Sequence, residues 1–84
     1  MYVDASALDV HGLTLSQAIN VINKAIQTSY EKGVSVLYVN HGFNVGNKIK
    51  TWCLKNATEN SLVIKVEPGK NEGISNIYIK MKMF

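Results

Sequence analysis

The chain has no arginine: its nine basic residues are all lysine, set against six acids for a formal charge of +3. Bidentate reading of guanine is thereby excluded, so any nucleic-acid contact must read backbone and shape more than base sequence. The charge is modest, enough to favour phosphates but far from a polycation. Cys53 is the single cysteine, which rules out an internal disulfide and predicts a reducing, cytoplasmic setting. No motif surrounds it, so it is expected as a buried packing thiol. No apolar run approaches about 18 residues, so no membrane span is expected. Met1-Tyr2-Val3-Asp4 lacks a basic stretch ahead of an apolar one, and no secretory signal is read there. Met1 fits a natural start and a domain cut from a longer protein equally well.

What is present is enough for one small domain over residues 1–84, with a two-layer core that leaves room for a surface cleft as an active site. Ala7 to Val10 reads as a first strand. Thr14-Leu15-Ser16-Gln17 is a capping box, and Leu15, Ala18, Ile19, Ile22, Ala25, Ile26 and Tyr30 follow at helical spacing. Gly33 supplies the stop. Val34 to Val39 is nearly continuous apolar and β-branched, which predicts a central strand covered on both faces.

Asn47 to Asn56 reads as a shorter helix with Ile49, Trp52 and Cys53 inward. Ser61 to Glu67 alternates as a strand, and Pro68 to Gly73 is a turn. Ile74 to Met81 closes the chain as a strand with Ile77, Ile79 and Met81 on one face. The order β-α-β-α-β-β predicts a two-layer α+β sandwich, a four-stranded mixed sheet with two helices on one face. The first two strands run parallel through a right-handed crossover.

The only two histidines, His11 and His41, are each followed by glycine, and each closes a strand. The parallel pairing brings both to one sheet edge, where ligands bind in open α/β folds. Alternation on the first strand puts Asp9 and His11 on one side, and a carboxylate beside an imidazole fixes its tautomer for general acid–base work. A D-x-H pair at a strand end also serves as a simple turn contact.

Gly12 and Gly42 allow close backbone approach to a ligand. The loop Gly42 to Gly46 feeds the second helix, whose first amides suit an anion. Lys48 and Lys50 sit in that first turn, unfavourably against the helix dipole unless a phosphate is bound. Phe43, at the loop tip, can stack on a base or fold back on the core. Asp9, His11 and His41 show no fourth ligand and no characteristic spacing, so no metal or cofactor is expected. No serine lies in an elbow motif, and no nucleophilic triad is read.

Leu8-Asp9-Val10-His11-Gly12 resembles the L-D-L-H-G segment that opens the Smr (small MutS-related) domain. His41-Gly42-x-x-x-Gly46 is similar to that family's H-G-x-G-x-G loop, and Gly73 to Lys80 looks like its closing strand. The resemblance covers residues 7–81. It implies a fold similar to the C-terminal domain of translation initiation factor three, and nucleic-acid endonuclease activity on DNA or on RNA, in some members at stalled ribosomes.

Carried over residue by residue, Asp9 and His11 match the catalytic motif, while Gly12, His41, Gly42 and Gly46 match other marked positions. Asn44 replaces the middle glycine of the loop, and Phe43 stands where lysine is common. Both changes bear on how the loop holds a phosphate; the Asp9-x-His11 motif is intact. The expectation is a metal-independent RNA endonuclease with Asp9, His11 and His41 catalytic. Gly12, Gly42, Phe43, Asn44, Gly46, Lys48 and Lys50 are expected to contact the nucleic acid. The alternatives are a DNA-nicking enzyme and a non-catalytic module that binds nucleic acid or ribosomes, as a monomer or within a longer chain.

Overall fold

Thr14 sets the first helix by reciprocal capping. Its hydroxyl accepts from the Gln17 amide, and the Gln17 side chain accepts from the Thr14 amide. The helix α1 (Leu15–Lys32) ends at Gly33, whose φ of 76° is the left-handed turn that glycine adopts freely. Its apolar stripe buries Ala18, Ile22 and Ile26. These local signals place both ends of the helix where the sequence puts them.

The computed structural model describes residues 5–42 and 47–82. Around α1 lie β1 (Ala5–Asp9), β2 (Val36–Asn40), α2 (Lys48–Lys55), a 3₁₀ turn (Ala57–Glu59), β3 (Val63–Pro68) and β4 (Ile74–Ile79). The sheet order is β1-β2-β4-β3, with β1 and β2 parallel and the other neighbours antiparallel. The two central strands are thus β2 and β4. The α+β sandwich with a four-stranded mixed sheet is the architecture that the element order predicts.

One core joins the layers. Val10, Leu37, Val39, Ile77 and Ile79 from the sheet meet Ile22 and Ile26 of α1 and Cys53 of α2. Burying each large aliphatic side chain stabilises the fold by about 1.5–3 kcal/mol. Asn60 donates to Asn23 at 3.1 Å and ties the 3₁₀ turn to α1. Cys53 is fully buried, and burial pushes its thiol up to about 12.

Three expectations need correction. The run Val34 to Val39 predicts a strand covered on both faces, but only Leu37 and Val39 are buried, and Tyr38 is 40% exposed. The helices cover one side of the sheet alone, so β-branched richness here reflects strand preference and not two-sided burial. Met81 does not share the inward face of β4; the strand stops at Ile79, and Met81 is exposed. The third strand starts at Val63 and not Ser61, because Asn60 turns the chain first: its side chain accepts from the Leu62 amide and its carbonyl from the Val63 amide.

Candidate active site

β1 ends at Asp9, and the backbone then turns. Val10 donates to the Asn40 carbonyl, Leu13 donates to the Val10 carbonyl, and Gly12 takes a φ of 82°. Asp9 pairs with Asn40 in the sheet register, as Ala7 pairs with Tyr38. Strand alternation therefore aims the Asp9 carboxylate at the side of the sheet away from the helices. There its Oδ1 accepts from the His11 amide at 3.1 Å and meets His11 Nδ1 at 2.5 Å.

The ionised carboxylate only accepts, so the proton sits on Nδ1. In the neutral ring, Nε2 then carries the lone pair. The two side chains are 66% and 57% exposed, which leaves that nitrogen open to a substrate. The His11 side chain, and then its backbone amide, hold the Asp9 carboxyl below its ordinary value. The dyad read from the sequence is formed.

His41 is placed differently. It lies one residue past β2, is 5% exposed, and its amide donates to the Gly73 carbonyl. Its Nδ1 donates to the Gly42 carbonyl at 2.9 Å, which leaves Nε2 of the neutral ring to accept from the Ser75 hydroxyl at 2.9 Å. Both nitrogens are occupied, and Ser75 is itself fully buried. Sequence reading missed Ser75 and Gly73. The available signal was a serine on the inward side of the strand, in line with Ile77 and Ile79.

Gly42 brings the two His-Gly pairs together. Its φ is 74°, and a Cβ built there would stand 3.4 Å from the His11 Cβ. Its amide is shared between the Gly73 carbonyl and the Asn40 side chain, at 3.1 and 3.2 Å. A cleft of about 570 Å³ lies beside it, with Gly12 and Leu13, His41, and Asn47 and Lys48 among its lining residues. Asn47 makes no side-chain cap bond to the first amides of α2, and amides at a helix start suit an anion.

Lys48 is exposed in that cleft, whereas Lys50 turns toward Glu72, 3.9 Å away. Of the loop residues expected to touch nucleic acid, Phe43, Asn44 and Gly46 lie outside the described residues. Among the described residues, no three His, Cys, Asp or Glu side chains gather into a metal-binding group. No described helix is long and apolar enough to cross a membrane.

The fold and this edge define a small α+β domain carrying an exposed Asp–His dyad where a parallel strand pair ends. The Smr domain family model matches residues 8–81, and the chain belongs to the Smr domain family. Among solved structures it is similar to the Smr domain of Thermus thermophilus MutS2, with a TM-score of 0.83 at 16% identity over 89% of this chain and 98% of that one. At that identity the likeness is one of fold. No curated protein matches the chain.

Proposed function

We propose that the chain is an RNA endonuclease in which Asp9 and His11 carry the reaction. The observation behind this reading is the dyad itself: Nδ1 is tied to a carboxylate and Nε2 faces solvent. Nε2 takes the proton of a ribose 2′-hydroxyl, and the freed oxygen attacks the adjacent phosphorus. The bond to the 5′-oxygen breaks, and that oxygen leaves with a proton from the protonated His11 or from water. Lys48 and the first amides of α2 stabilise the charge that develops on phosphate.

His41 acts here as a positioning residue. Its ring holds the Gly42 carbonyl against Ser75 and so fixes the backbone that packs on His11. Gly12, Gly42 and Lys48 are the described residues proposed to meet the RNA, while Lys50 acts only if it leaves Glu72. The route uses no metal. The proposed setting is the cytoplasm, with ribosome-associated RNA as the natural substrate, by resemblance to the family.

The test incubates the protein with end-labelled single-stranded RNA and the matching DNA, with and without EDTA, beside His11→Ala. The expected result is cleavage that leaves a 2′,3′-cyclic phosphate and a 5′-hydroxyl, persists in EDTA, spares DNA, and disappears in the variant. Nicking of DNA or strict dependence on Mg²⁺ overturns the mechanism. Binding without any cleavage leaves the non-catalytic module as the answer.

A further inference from the structure

The helices leave one face of the sheet open, and its two central strands each put a tyrosine on it. Tyr38 of β2 pairs with Asn76, and Tyr78 of β4 pairs with Val36, so the rings occupy diagonal positions. Such positions are about 7–8 Å apart. Tyr38 is among the few large side chains that the fold leaves exposed, at 40%. Lys65 Nζ stands over the Tyr78 ring, 5.0 Å from its centre, so a base that takes this ring displaces the ammonium toward its own phosphate. Lys80, exposed, continues the alternation that puts Asn76 and Tyr78 on this face. Among the described residues, the acids here are Glu67, already paired with Lys65 at 3.2 Å, and Asp9, already bound to His11.

We propose that this open face is a stacking platform for single-stranded RNA, with Tyr38 and Tyr78 each taking one base. The inference takes from the proposed function only its substrate class. Aromatic rings on the central strands of a four-stranded sheet offer flat, sequence-tolerant contact to unpaired bases, and neighbouring lysines meet the phosphates. That mode suits a chain without arginine, which has no side chain for bidentate reading of guanine.

Continuity with the dyad decides the occupant. Asp9 lies on the same face as Tyr38, because Asp9 pairs with Asn40 and Tyr38 is two residues before Asn40. Two residues of strand span about 7 Å. A base stacked on Tyr38 therefore sets the next phosphodiester beside Asp9 and His11. RNA thus reaches the dyad across the sheet, and the cleft beside Lys48 is left to meet the phosphate at the sheet edge.

The experiment uses the full chain carrying His11→Ala, so that the RNA stays intact, and a fluorescein-labelled 12-nucleotide single-stranded RNA read by anisotropy. Tyr38→Ala and Tyr78→Ala are each expected to weaken binding about 5- to 150-fold. Tyr38→Phe retains it, and a blunt RNA duplex is bound no differently by any variant. Unchanged affinity in both alanine variants, with circular dichroism and Tm preserved, overturns the proposal and gives the face to some other partner. If either variant unfolds, 4-thiouridine crosslinking on the unmodified tyrosines decides. Crosslinks at Tyr38 or Tyr78 support the platform, and crosslinks confined to the helical side, where Ile19 and Asn23 of α1 line a groove with Trp52 of α2, overturn it. RNA bound through the tyrosines but never cut leaves the platform standing and removes the endonuclease. In the same tyrosine variants with His11 restored, RNA cut with a KM indifferent to both tyrosines does the reverse.

Discussion

A single oxygen of Asp9 holds His11 twice, accepting from the ring Nδ1 and from the backbone amide. The amide bond anchors the main chain just beyond the end of β1. The ring bond then selects the tautomer. One carboxylate thus fixes both where the imidazole sits and which nitrogen is basic, an arrangement that needs only three consecutive residues.

Replacing Asp9 by asparagine separates these two jobs. The carboxamide oxygen of the variant can still accept from one donor, but its nitrogen, when turned to the ring, favours the tautomer protonated on Nε2, which is no base. Cleavage of RNA by Asp9→Asn is expected to fall about 10²–10⁴-fold. RNA affinity stays the same, and stability changes little because the pair is exposed to solvent. Single-turnover rates, RNA titrations and urea melts check the three parts, and full activity removes Asp9 from the mechanism.

The same bonds give a pH signature. His11 holds the Asp9 carboxyl below 3.8, so the unfolded chain takes up this proton at higher pH than the folded one. The contribution to stability is therefore present above 3.8 and is lost as pH falls through the lowered folded value. A ¹³C titration of the Asp9 carboxyl should show its midpoint below 3.8 and its return toward that value in His11→Ala. An unshifted midpoint in the parent chain means the dyad is not formed in solution.

His41 carries a structural prediction. Ser75→Ala leaves the imidazole Nε2 buried with no partner, which costs about 1–3 kcal/mol. A drop of that size in urea unfolding, together with altered chemical shifts at Gly42, is the expected result. Unchanged stability means that the bond between His41 and Ser75 does not hold the fold.

Local signals carried most of what was legible in the sequence. The Thr14 box, the Gly33 stop and the alternation from Ile74 depend on neighbours in the chain; the first two bound the expected helix, and the third gives the expected strand, which stops at Ile79 and not Met81. Asp9 and His11 were legible for the same reason, lying two positions apart. His41 was not, since its burial depends on Ser75, 34 residues away, and on the Gly73 carbonyl, which no period in the sequence encodes. The placement of Lys50 is hidden likewise, because Glu72 reaches it from the turn between β3 and β4. The open face of β2 is masked in the sequence because strand preference and two-sided burial favour the same residues.

Gly42→Ala tests the contact between the two His-Gly pairs. An alanine at a φ of 74° loses the freedom that glycine has there, at a cost of about 1–2 kcal/mol. Its methyl group also stands 3.4 Å from the His11 Cβ, at the near edge of ordinary contact, so a backbone shift that relieves φ carries His11 with it. Cleavage is expected to fall further than the loss of stability explains at a temperature where the variant is fully folded. Gly33→Ala is the control: its φ is 76°, an added Cβ finds no atom within 4 Å, and it ends α1 outside the proposed site, so it carries the backbone cost without the contact. Equal activity in the two variants means that the second pair does not position the first.

Cys53 gives a prediction independent of the active site. Its thiol is fully buried and pushed up to about 12 by the loss of hydration, so the folded chain holds almost no thiolate at neutral pH. Ellman's reagent should react with it only through unfolding, at a rate that rises with urea in step with the unfolded population. The raised value also contributes to the alkaline limb of stability. The unfolded thiol ionises near 9.0 while the folded one resists, so stability is intact below that pH and declines as pH climbs from 9.0 toward 12. Cys53→Ala should remove the thiol's share of that decline while costing stability at neutral pH through the cavity it leaves. Rapid labelling of the native chain contradicts the packing of α2 on the sheet, and with it the placement of Lys48 beside the cleft.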